Sequence, residues 1–172
     1  MILKNSRLFL NLKLLGWSFI SFSAFSSSNL PSFEDFPIAS QANITLQTID
    51  FDSHPDGVFV LQKWQGMQDI VIGEPANFAG HYFVMGIGCG TACQLNIIVD
   101  VNSGKIVDSI DSTIGLCHQS DSELLIVNPR LSDYGDIIPE WAYTYYYQLE
   151  NGVMTLLEKS KVGFDGACEF GQ

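Results

Sequence analysis

The chain reads as an all-β fold, with antiparallel sheets forming a sandwich, a barrel or a propeller-like meander behind an N-terminal signal helix. Three observations predict it. Short runs rich in Val, Ile, Tyr and Phe recur with period-two alternation, turn residues separate them at regular intervals, and helical periodicity is scarce.

Taken in order, the N-terminus comes first. Lys4, Arg7 and Lys13 precede or interleave with an apolar stretch through Ile20, no acid occurs before Glu34, and small residues fill 21–28. A positive end, an apolar middle and a small-residue exit are the secretory pattern, and residues 1–26 read as a signal peptide. Ala24 and Ser26 supply the small residues for cleavage after Ser26, and Ser40-Gln41-Ala42 fits the same local rule farther from the apolar run. An uncleaved membrane anchor is the alternative. Asn11 and Lys13 interrupt the apolar run, whereas a span needs about 20 mostly apolar residues. No later stretch is long enough either, so no membrane span is expected after cleavage. The destination that follows is the periplasm or the exterior. Residues 27–43, with their serines, Pro31 and Pro37, read as a flexible linker, and 44–172 as a single β-rich domain.

Within that domain, Ile44–Ile49 alternates apolar with polar, and Val58–Leu61 follows a turn at His54-Pro55-Asp56-Gly57. Asp69–Gly73, His81–Ile87, Gln94–Val101, Lys105–Ile110 and Glu123–Asn128 complete the middle strands. Asn102-Ser103-Gly104 is a hairpin turn that calls for a positive φ at Gly104. Pro129 stops the strand before it, and residues 130–140 form a loop. A last hairpin pairs Ala142–Leu149 with Val153–Lys159 across Glu150-Asn151-Gly152, the strongest turn signal in the chain. Tyr143, Tyr145 and Tyr147 share one face of their strand, as a packing ladder or a ligand platform.

Charge narrows the partners. Eight basic residues stand against 19 acidic ones, a net charge of −11 that becomes −14 when the signal removes three bases and no acid. Such a surface repels phosphate backbones and anionic lipid, so nucleic acid is disfavoured. It suits solubility, divalent ions, or an unidentified envelope or extracellular ligand of positive charge.

Four cysteines, Cys89, Cys93, Cys117 and Cys168, allow three pairings, and outside the cytoplasm they read as disulfides. A local Cys89–Cys93 bridge needs Cα atoms within about 6 Å, and would leave Cys117 and Cys168 as a long-range pair. The alternative is a thiol-dependent copper carrier or redox protein, in which Cys89 and Cys93 bind metal with His81 or His118, since soft thiolates suit Cu(I). No metal is favoured over the bridges, and no cofactor is implied.

Other chemistry is thinner. Asp50–Gly57 resembles the start of a calcium loop, but with Asp52 at position one Lys63 falls where a bidentate Glu is needed. No nucleophile elbow occurs, Ser120 and Ser122 are near His118 in sequence alone, and Glu74 and Asp121 would be the acids of an envelope hydrolase. Gly86, Gly88 and Gly90 alternate along one strand and its exit, permitting a bulge, a sharp twist or a close backbone approach. Gly88 and Gly90, with His81 and Tyr82 on the same strand, are the candidate border of a ligand pocket.

Asn77-Phe78-Ala79-Gly80-His81-Tyr82, then Gly88-Cys89-Gly90-Thr91-Ala92-Cys93-Gln94, Ile98-Val99-Asp100 with Gly104-Lys105, and Asp121–Asn128 occur in that order. This set resembles a group of small exported bacterial proteins without an assigned activity. The resemblance covers roughly residues 75–130 and implies an exported, β-rich domain with the cysteine pair near its centre. Cys117 and Cys168 fall outside the motifs that carry it. The reading that results is a disulfide-stabilised binding or structural module, with no catalytic residue singled out.

Overall fold

Seven strands build two antiparallel sheets in the computed structural model, which describes residues 29–39, 43–63, 68–166 and 168. The first sheet has the order β1 (Tyr82–Gly90), β2 (Cys93–Asp100), β3 (Ile106–Ser112). The second is β4 (Leu116–His118), β5 (Leu124–Val127), β6 (Thr144–Glu150), β7 (Val153–Ser160). The mostly-β class therefore holds. The expected signal segment, residues 1–26, lies outside the described residues.

Alternation along the strands explains how the layers stack. Odd-numbered residues of β1 and β2, including Met85, Ile87, Ile97 and Val99, form one apolar cluster with Leu46, Ile49 and Val60. Even-numbered ones, Tyr82, Val84 and Ile98, instead meet Leu116, Leu125, Val127 and Leu149 of the second sheet. The two sheets thus share a core. On the far side of the second sheet, Cys117, Leu124, Ile126 and Tyr146 pack with Phe33, Phe164 and Cys168. Each fully buried Ile or Leu contributes about 1.5–3 kcal/mol relative to exposure.

The hairpins follow their turn chemistry. Gly104 has φ 72°, as the turn requires, and Asp100 accepts hydrogen bonds from Asn102 N at 2.9 Å and Ser103 Oγ at 2.9 Å. Asn151 and Gly152 have φ 52° and 77°, the geometry that lets a two-residue loop join twisted strands.

Three expected strands are absent. Val58–Leu61 lies in helix α1 (Pro55–Lys63), where Pro55 suits the first turn and His54 Nδ1 accepts from Asp56 N at 3.2 Å. Within the helix the buried positions are Gly57 and Val60, three apart, while Val58, Phe59 and Leu61 face outward. A short apolar run carries no period of its own, and the helical choice is the one that seats Val60 on the sheet. Gly57 is needed there, because a Cβ would lie 2.0 Å from the Phe51 carbonyl oxygen. Asp69–Gly73 instead contributes to the single turn α2 (Gln68–Val71), ended by Gly73 at φ 93°. Ile44–Ile49 is extended and buries Leu46, but it makes an isolated bridge, Thr45 to Pro75, rather than a ladder. Pro75 has no N–H to donate.

Two features were not anticipated. The short strand β4 joins the edge of the second sheet, with Leu116 opposite Val127. Residues of the expected linker also pack: Phe33 is buried, and Ser122 Oγ lies 3.0 and 3.1 Å from the Phe33 and Phe36 carbonyls.

Candidate functional site

Both disulfides form, Cys89–Cys93 and Cys117–Cys168, with Cα separations of 5.1 and 5.2 Å. The first staples the end of the β1–β2 hairpin. Its position follows from the glycines: Gly88 pairs with Gln94 and Gly90 with Cys93, so Cys89 is the extra residue of a bulge. Cys89 and Cys93 are exposed, whereas Cys117 is fully buried.

Beside that hairpin the shared core opens into a cleft of about 980 Å³. Period two accounts for the opening. Val84 and Ile98 fill the inter-sheet space with apolar side chains, but the next residues on that face are Gly86 and Gly88 of β1, paired with Asn96 and Gln94 of β2. Two amides and two bare glycines replace the hydrocarbon. A Cβ at Gly86 would come within 2.8 Å of Asn96 Oδ1 and Gln94 Nε2, so both amides would have to shift to admit one. The opposite wall comprises Thr113, Gly115, Leu116 and His118, with Arg130 and Asp133 at the rim, while Ile70, Val71 and Glu74 flank the β1 edge.

The polar groups are held in place. Asn96 is buried and its Nδ2 donates to Ile110 O at 2.9 Å and Ser112 Oγ at 3.0 Å, and Ser112 Oγ donates to Gln94 Oε1 at 3.1 Å. Asn77 uses its side chain as a piece of strand: Nδ2 donates to Val84 O at 3.0 Å and Oδ1 accepts from Val84 N at 2.7 Å. Its own carbonyl meets His118 Nδ1 at 3.0 Å. A carbonyl can only accept, so Nδ1 carries a proton. Arg130 and Asp133 pair at 3.1 Å, and Asn128 Oδ1 accepts from Thr113 N at 2.8 Å, fixing the loop that forms the far wall.

The expected border residues separate. Gly88 and Gly90 line the cleft. Tyr82 stands six residues from Gly88 along β1, about 20 Å at strand rise, and His81 immediately precedes that strand. There His81 Nε2 approaches Asp100 Oδ1 at 3.9 Å and its ring lies 4.2 Å from that of Tyr82. The proposed metal ligands do not converge either: Cys89 and Cys93 are bonded to each other, and among the described residues no three His, Cys, Asp or Glu side chains gather at one point. The Asp50–Gly57 run divides between a 3₁₀ turn and α1, and Asp56 bonds Ser109. Of the two acids, Glu74 borders the cleft and Asp121 does not.

Tyr143, Tyr145 and Tyr147 line up as expected, with ring centroids 6.2 and 6.5 Å apart. Lys159 Nζ sits 3.8 Å and Lys161 Nζ 3.9 Å from the Tyr143 ring, so the outer end of the ladder is covered by cations.

Asn77, Gln94 and Asn96 are not among the expected site residues, although Asn77 and Gln94 stand in the motifs that carry the resemblance. The legible signal was Gln94 and Asn96 on one face of an apolar strand, directly across from two glycines. What converges is a set of fixed hydrogen-bonding groups around a concave space, suited to recognition. No protein-family model, curated protein or solved structure matches the chain.

Proposed function

We propose that the chain is an exported, disulfide-stabilised β-sandwich that acts as a non-enzymatic binding module, with its ligand seated in the cleft beside Gly86 and Gly88. The cleft itself carries the reading. Ligand sites are concave, of roughly 300–1,000 Å³, with apolar walls and a few positioned polar groups, and the 980 Å³ space here has that make-up. Two disulfides fit an oxidising compartment. Among the described residues no helix is long and apolar enough to cross a membrane. The likeness of the Asn77–Tyr82, Gly88–Gln94 and Asp121–Asn128 motifs to small exported bacterial proteins supports the same setting.

A blocked-cleft variant tests the proposal. A Cβ at Gly88 meets nothing within 4 Å, so Gly88→Phe leaves the backbone in place and puts a ring in the space. Short peptides, sugars and amino acids would be screened by thermal shift. The expected result is a compound that raises the Tm of the native chain and not of Gly88→Phe, because a ligand bound to the folded state stabilises it by mass action. A screen with no stabilising compound, or equal shifts in both proteins, overturns the cleft assignment.

A further inference from the structure

The free edge of β1 says what kind of ligand the cleft takes, an inference that rests on the binding role just proposed. In an antiparallel strand, successive residues aim their backbone N–H and C=O alternately at one neighbour and the other. On the side of β1 away from β2, Tyr82 N donates to Phe78 O at 2.9 Å, and Tyr82 O accepts from Asn77 N and Phe78 N at 3.0 Å. Two residues on, the Asn77 amide takes both backbone groups of Val84. By the same alternation the outward groups that follow belong to Gly86 and Gly88. Among the described residues, neither glycine makes an outward backbone hydrogen bond. Both are exposed, and both border the cleft.

We propose that this edge binds an extended peptide as an added strand, paired to Gly86 and Gly88 where the Asn77 amide leaves off. Residues i and i+2 of an extended peptide are about 7 Å apart, the same spacing as the two glycines, so one stretch satisfies both. Side chains of the added strand alternate between two surfaces. One set meets the Gln94 and Asn96 amides, and the other meets Ile70 and Val71. A net charge of −11 selects a basic peptide over an acidic one. The ligand class is therefore an unstructured, positively charged segment with polar and apolar residues in alternation.

Fluorescence anisotropy of the oxidised full chain with labelled ten-residue peptides of that pattern, in basic, neutral and acidic versions, reads the binding. The tightest peptide is then N-methylated one amide at a time. Strand addition requires a period-two result: methyl groups on alternate amides weaken binding about tenfold or more, and those between them have little effect. Gly88→Pro removes an N–H from the free edge without touching the β1–β2 ladder and weakens binding similarly, whereas Gly88→Ala retains it. Absence of peptide binding overturns the inference, as does uniform sensitivity to methylation or undiminished binding by folded Gly88→Pro. Should Gly88→Pro fail to fold, the methylation pattern on the native chain decides. A ligand excluded by Gly88→Phe but blind to the methylation period leaves the cleft assignment standing and removes strand addition alone.

Discussion

The two disulfides sit in opposite surroundings. Cys117–Cys168 spans 51 residues, has one sulfur fully buried, and ties the C-terminal segment onto the outer face of the second sheet beside Phe33 and Tyr146. Cys89–Cys93 spans four residues, is exposed at both ends, and closes a hairpin that the β1–β2 ladder already holds. The first substitutes for packing where a sheet face is covered by irregular chain. The second shapes a rim, keeping the bulge at Cys89 and with it the glycine edge of the cleft. A bond of one kind thus serves stability in one half and geometry in the other.

Removing the bridges separately tests that contrast. In the chain-entropy picture the long loop is worth about 4 kcal/mol and the short one about 2. Urea unfolding of the Cys117→Ser/Cys168→Ser pair should show the larger loss. For Cys89→Ser/Cys93→Ser the fall should be about half as great, and equal losses would erase the distinction. Alkali should act on the tyrosine-rich half next. Burial first, then the nearby Asp165 and Glu158 carboxylates, pushes the Tyr146 phenol up to about 12. An unfolded phenol ionises near pH 10. The folded group therefore contributes stability intact below pH 10 and lost as pH rises through 12, about 2–3 kcal/mol in all. Tyr82 and Tyr147, also raised chiefly by burial, act in the same direction. Unfolding midpoints measured from pH 8 to 12 should fall only above 10, and less steeply in Tyr146→Phe.

That substitution carries a smaller forecast of its own. The Tyr146 hydroxyl is buried without a hydrogen-bond partner among the described residues. An unsatisfied buried hydroxyl costs about 1–3 kcal/mol, so Tyr146→Phe should raise stability at neutral pH by about 1 kcal/mol. A loss on equilibrium unfolding would show that the hydroxyl is satisfied in solution. The smallest effect concerns order of reduction. Dilute reductant should open Cys89–Cys93 before Cys117–Cys168, because access limits thiolate attack. Alkylation and peptide mass mapping at short times would show which pair is labelled first.

Of the four expected border residues, Gly88 and Gly90 line the cleft and His81 and Tyr82 do not. Gly88 and Gly90 were readable as a border because glycines alternating on a strand beside two cysteines require a backbone reason. His81 and Tyr82 were attached to the same border by nearness in sequence, and strand rise carries Tyr82 about 20 Å from Gly88. The far wall, with Thr113, His118 and Arg130, comes from residues whose meeting depends on how two sheets stack.

From the residues alone came the mostly-β class, strands β1, β2, β3 and β5 and the β6–β7 hairpin, with a bulge as one of the arrangements that the alternating glycines permit. Each depends on signals confined to a few neighbours: alternation of side chains, the positive φ that Asn-Gly accommodates, the missing Cβ. Tertiary structure decided the helical state of 55–63, the turn at 68–71, the pairing of β4 and the position of the cleft. Runs such as Val58–Leu61 fit strand or helix equally well, and the surface that must be covered selects between them. In α1 that surface is the sheet face receiving Val60, which no local pattern announces.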